Sequence, residues 1–191
     1  MNAKFVTTIL SSLLLAGSTL LSVKAVAEDT SALVASCVAC HGKDGVSPGG
    51  DWPSLAGQQR EYLALQLKAF RDGGRKEPTM AAFVNGLSDD QIDSIARHYS
   101  ELPMPGIAGS ESPNNKGMRV RGNCMSCHGV EGKVVNLSWP NLAGQNKNYL
   151  LKQLMDFRNG TRHSPIMNVI ANEYTEQQLK DVAEYYSQLA Y

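Results

Sequence analysis

Apolar positions recur at helical spacing through most of the chain. Between Arg60 and Arg71, the residues Tyr62, Leu63, Leu67 and Phe70 form one stripe, the signature of a helix with a single buried face. A capping box, Ser88-x-x-Gln91, opens a further helix whose apolar face is Ile92, Ile95, Ala96, Tyr99 and Leu102. The same pattern returns at Thr175-x-x-Gln178, followed by Leu179, Val182, Ala183, Tyr186 and Leu189. A short helix is expected to start at Asp29 or Thr30, both suitable N-caps, and to run into Cys37. Between the stripe helix and the capped helix the pattern lapses into a Gly- and Pro-containing loop that carries Met80, or Met167 in the second copy. No alternating strand pattern competes, so the expected class is all-α.

The N-terminus follows a different rule. Lys4 precedes an apolar run, Phe5 to Leu21, which Thr, Ser and Gly interrupt, and Ala25-Val26-Ala27 ends it with small residues. This is the layout of a signal peptide, residues 1–27, with cleavage expected after Ala27 and a second possible site at Val23-Lys24-Ala25. The polar interruptions and small-residue end argue against an uncleaved membrane anchor. Export places the mature chain in the periplasm, an oxidising compartment where thiols are seldom idle.

The chain is written twice. Shifted by 87 residues, it aligns on itself without a gap. CVACHG (Cys37 to Gly42) falls on CMSCHG (Cys124 to Gly129), and WPSLAGQ (Trp52 to Gln58) on WPNLAGQ (Trp139 to Gln145). Tyr62, Gln66, Phe70, Arg75, Pro78 and Met80 fall on Tyr149, Gln153, Phe157, Arg162, Pro165 and Met167. So long a period means a duplicated domain. The expected organisation is an N-terminal domain, 28–102, a Pro-, Gly-, Ser- and Asn-rich linker, 103–116, and a C-terminal domain, 117–191. Units of this size with three short helices bury little, and a large apolar prosthetic group would complete their cores.

Charge narrows the partners. The formal net charge is zero, which leaves no global field to draw nucleic acid. The halves differ: residues 28–109 carry 7 Lys/Arg against 11 Asp/Glu, and residues 110–191 carry 9 against 7. Such a dipole can orient docking and make association salt-dependent.

All four cysteines lie in the two Cys-x-x-Cys-His units. On a helical turn, residues at i and i+3 share a face. Cys37 with Cys40, and Cys124 with Cys127, are therefore placed to add to the two vinyl groups of one haem each, and His41 or His128 to ligate the iron. A zinc site built from all four cysteines, or two disulfides, would leave the paired histidines and methionines unexplained. For the sixth ligand the repeat selects Met80 and Met167, each 39 residues after its histidine. Met104, Met118 and Met125 have no methionine counterpart, and the spare histidines His98 and His163 align with Tyr185 and Lys76. His/Met ligation raises the reduction potential and closes both axial positions, which suits electron transfer and not substrate chemistry.

With these motifs, the chain resembles a tandem class I cytochrome c, and most closely the dihaem cytochrome c4 family, over essentially its whole mature length. The resemblance implies two covalently bound haem c groups and two small helical domains packed with their haems close together. It implies that Pro53 and Pro140, about a dozen residues after the haem histidines, accept the ring N–H bonds. Arg75 and Arg162 are assigned either to haem propionates or to a solvated surface, and Trp52 and Trp139 to the core. The implied role is a periplasmic electron carrier, not an enzyme. It would act as a monomer, either freely diffusing or peripherally associated with the membrane, between a quinol-oxidising complex and a haem-copper terminal oxidase. The alternatives are the cytochrome subunit of an oxidoreductase such as a sulfide-oxidising flavoprotein, and a dihaem peroxidase.

Overall fold

The structure is a computed structural model that describes residues 30–103, 110 and 112–190. The expected signal peptide and part of the expected linker lie outside these residues. Among the described residues there is no strand, only one isolated antiparallel bridge between Arg75 and Arg162.

Two similar sets of helices follow one another. The first comprises α1 (residues 30–35), α2 (Val38–His41), α3 (Arg60–Arg71), α4 (Pro78–Val84) and α5 (Asp89–Glu101). The second comprises α6 (Asn115–Val120), α7 (Gly122–His128), α8 (Lys147–Arg158), α9 (Met167–Asn172) and α10 (Glu176–Ser187). Helix α3 packs on α5, and α8 on α10. Their stripes supply the cores: Leu63, Ile95, Ala96 and Tyr99 with Val34 in one half, and Leu150, Val182, Ala183, Tyr185 and Tyr186 in the other. Both capping boxes form. Ser88 Oγ accepts from Gln91 N and Thr175 Oγ1 from Gln178 N, while each glutamine side chain accepts the cap residue's own N–H.

Two local expectations change. The N-terminal helix does not run unbroken into Cys37. It ends after residue 35, and a tight turn in which Cys37 N–H bonds Val34 O at 2.9 Å leads into α2. The methionine loops also contain short helices. Pro78 occupies the first position of α4, where its fixed φ suits a helix start. Met167 is itself the first residue of α9.

Helix α6 crosses α10 at Gly117. A Cβ there would lie 2.0 Å from Asp181 O and 2.6 Å from Tyr185 Cβ, so only glycine permits this approach. Gly117→Ala must push α6 off α10, at a cost of about 3 kcal/mol. A thermal unfolding midpoint within a degree of the parent would refute this reading of the crossing.

Candidate functional site

Each Cys-x-x-Cys-His unit is a short helix ending at a glycine in the left-handed region, Gly42 at φ 80° and Gly129 at φ 78°. A Cβ on these glycines would sit 1.9 Å from Val46 O or 2.1 Å from Lys133 O. The chain therefore turns back tightly after each histidine, which brings the WPSLAGQ and WPNLAGQ segments over the rings. His41 is buried, and its Nδ1 lies 2.9 Å from Pro53 O; buried His128 has Nδ1 3.0 Å from Pro140 O. A carbonyl only accepts, so each ring carries its proton on Nδ1 and leaves Nε2 with a free lone pair. Burial lowers both histidine pKa values, which holds the rings neutral and ready to ligate.

Among the described residues no disulfide joins the four cysteines, and all four are partly exposed. Burial pushes the Cys124 thiol up to about 11 and raises that of Cys37. Neither has the lowered pKa of the attacking thiol in a redox dithiol. Among the described residues, no three His, Cys, Asp or Glu side chains gather as a metal site.

One continuous cavity of about 1490 Å³ runs through both halves, larger than the roughly 300–1,000 Å³ usual for a single ligand. It is lined by Cys37, Cys40, His41, Pro53 and Met80, and by Cys124, Cys127, His128, Pro140 and Met167. The folding of the chain thus brings every residue picked out from the sequence to one space. Two buried hydroxyls lie on its wall: Tyr186 Oη has no hydrogen-bond partner among the described residues, and its counterpart Tyr99 Oη lies against the Cys37 thiol.

The sequence did not reveal what joins the halves. Gln58 Nε2 donates to Asn141 O at 3.1 Å, and Asn141 N–H donates to Gln58 Oε1 at 2.8 Å. The equivalent pair repeats this: Gln145 Nε2 donates to Ser54 O and Ser54 N–H to Gln145 Oε1, both at 2.9 Å. Tyr62 N–H donates to Leu137 O, and Tyr149 N–H to Gly50 O. Each of these contacts is matched by its counterpart with the halves exchanged, which is twofold symmetry within one chain.

Arg75 and Arg162 form the centre of this interface. Arg75 donates to Gln66 at 2.9 Å, Gln153 at 2.6 Å and Tyr149 at 3.1 Å. Arg162 donates to Gln153 at 2.6 Å, Gln66 at 2.7 Å and Tyr62 at 3.2 Å. Each guanidinium also lies over a phenylalanine, Phe70 or Phe157, 4.4 Å from the ring centroid. The solvated-surface reading therefore fails for Arg75, which is only 9% exposed, while Arg162 is half-buried in the same network. Both line the cavity, and neither has a carboxylate partner among the described residues. Buried cations are costly without an anion, so the cavity suits an apolar group that brings carboxylates of its own. Trp52 lines the cavity but is 47% exposed, so it is not a core residue.

The likenesses to known proteins agree with this geometry. Residues 115–190 match the family model "Cytochrome c", and residues 25–98 match "Cytochrome C oxidase, cbb3-type, subunit III". A "Thiosulfate dehydrogenase electron acceptor" from Stutzerimonas stutzeri is 36% identical over 79% of this chain and 77% of its own length. A "Cytochrome c4" from Pseudomonas aeruginosa is 32% identical over 81% of this chain and 84% of its own. The crystal structure of reduced cytochrome c4 from Pseudomonas stutzeri superposes with a TM-score of 0.79 at 31% identity, over 85% of this chain and 98% of that one. The fold as a whole thus has a known counterpart, and the chain belongs to the dihaem cytochrome c4 family, electron carriers built of two tandem cytochrome c domains with a covalently bound haem c in each.

Proposed function

We propose that this protein is a periplasmic dihaem carrier that delivers electrons to a haem-copper terminal oxidase. The observation that carries the reading is the pair of equivalent Cys, Cys, His and Met sets lining one continuous cavity. In this reading residues 1–27 direct export, and residues 28–102 and 117–191 are the two domains joined by 103–116. Haem supplies a one-electron ferric/ferrous couple.

The chain's own residues do the rest. Cys37 and Cys40, and Cys124 and Cys127, would hold one haem each through thioether bonds. His41 and His128 ligate through Nε2, oriented by the Pro53 and Pro140 carbonyls, a bond that also raises the basicity of the ligand. Met80 and Met167 would supply thioether ligands to the two irons and so exclude water and peroxide. Arg75 and Arg162, on the cavity wall at the interface, would pair with haem propionates, and their positive charge would favour the reduced state. Because the cavity is continuous between the halves, no thick protein layer separates the two redox sites, which suits rapid internal transfer.

A second reading concerns the source of the electrons. The likeness to a thiosulfate dehydrogenase electron acceptor favours a dehydrogenase as donor, with the onward route unchanged. Stopped-flow reduction by a purified thiosulfate dehydrogenase, followed by reoxidation with oxidase-containing membranes, tests both steps. Failure of reoxidation would remove the terminal oxidase as acceptor.

The ligand assignment has its own test. The far-red methionine-to-ferric-iron band is expected to lose about half its intensity in Met80→Ala and the other half in Met167→Ala. A band unchanged by either substitution refutes that ligand. Carbon monoxide should bind the reduced parent slowly; rapid binding at one haem would instead indicate an open, peroxidase-like site.

A further inference from the structure

The four histidines of the chain divide unequally. His41 and His128 line the cavity with their rings fixed by proline carbonyls. His98 does not line it, and packs edge-on against Tyr99. His163 does line it, four residues before Met167. Its ring is exposed and makes no hydrogen bond among the described residues. The equivalent position in the other half is Lys76, which also lines the cavity. An uncharged imidazole offers a lone pair to a metal, whereas a lysine ammonium has none to give.

The loop around His163 is built differently from its counterpart. Asn168 donates to Arg162 O at 2.9 Å and to Phe157 O, while its Oδ1 accepts from Ser164 N–H at 2.7 Å. Ser164 Oγ accepts from Met167 N–H at 3.2 Å. The residues on either side of His163 are thus tied to one side chain, and Met167 is tied to the same loop. Glu77 and Ala81 stand at the equivalent positions of the first half and do not make these side-chain bonds among the described residues. The backbone on both sides of His163 is consequently fixed by a device the first half lacks, and His163 lines the same cavity as Met167.

We propose that His163 is a reserve axial ligand for the C-terminal haem iron, taking the sixth position when Met167 leaves it. The proposal rests on Met167 being the resident ligand. The exchange breaks an iron–sulfur bond and forms an iron–nitrogen bond. No electron moves, and the ring's single proton stays on the nitrogen that does not ligate. A nitrogen donor in place of a thioether favours ferric iron, so the exchange lowers the potential of that haem while keeping its iron closed. The N-terminal haem, with Lys76 in the same place, has no such reserve at neutral pH.

The test compares three variants as full-length, haem-loaded protein at pH 7. In Met167→Ala, the ferric C-terminal haem is expected to lose its far-red band, to stay low-spin with the electron paramagnetic resonance pattern of two imidazole ligands, and, once reduced, to bind carbon monoxide slowly. In Met80→Ala, the N-terminal iron is expected to be open and to bind carbon monoxide at least tenfold faster. Met167→Ala combined with His163→Ala should open the C-terminal iron as well. An open iron in Met167→Ala, or a bis-imidazole signal that survives in the double variant, would overturn the reserve-ligand role alone. An unchanged far-red band in Met167→Ala would overturn the Met167 assignment and this proposal with it.

Discussion

A chain carrying Cys37→Ala and Cys40→Ala is expected to hold one haem instead of two and to lose the fold of its first half. The buried cluster of that half is small: Val34, Leu63, Ile95, Ala96 and Tyr99. Most of its other apolar side chains face the cavity. Left as a void, half of the 1490 Å³ space would cost about 18 kcal/mol at about 24 cal/mol per Å³. That exceeds the roughly 5–15 kcal/mol that stabilises a whole domain, so the half collapses or opens. A haemochrome assay should give half the parental haem per chain, and circular dichroism should show a loss approaching half the helical signal. The far-red band of the second half should persist. Two retained haems, or an intact helical signal, would refute the attachment assignment.

The second large effect is expected at Arg75. Arg75→Leu removes three hydrogen bonds that cross or brace the interface, to Gln66, Gln153 and Tyr149. Arg162 still donates to both glutamines, so the loss is less than complete. Breaking a buried, charged network of this kind costs about 3–5 kcal/mol, and the lower end is expected here. The halves should then unfold in two denaturant transitions instead of one. The midpoint potential should also fall, because a buried positive charge on the cavity wall has been removed. A single transition at the parental midpoint would show that Arg75 does not couple the halves.

Much of this is legible in the sequence because its causes are local or repeated. The capping boxes at Ser88 and Thr175 need only three residues of context. The attachment motifs and their methionines carry their own control, the second copy. Other features are hidden for physical reasons. Pro78 reads as loop punctuation, yet the same fixed φ starts α4. The break before Cys37 depends on a single tight turn, below the resolution of a periodicity argument. Above all, the interface pairs residues such as Gln58 with Asn141 and Arg162 with Tyr62, which lie 83 and 100 positions apart. Such pairs leave no periodic signal. Tyr62, Gln66 and Arg75 do stand out as repeated residues, but repetition alone does not say whether a side chain serves the haem or the other half.

The twofold symmetry of that interface has a quantitative consequence. Contacts such as Gln58 with Asn141, answered by Gln145 with Ser54, have the geometry of a homodimer. Two separate copies would associate by mass action and fall apart on dilution. Carried on one chain, the same surfaces meet at an effective concentration of about a millimolar. The pairing of the two redox sites then no longer depends on how much of the protein the cell makes, and a single scarce molecule still works as a complete two-electron reservoir.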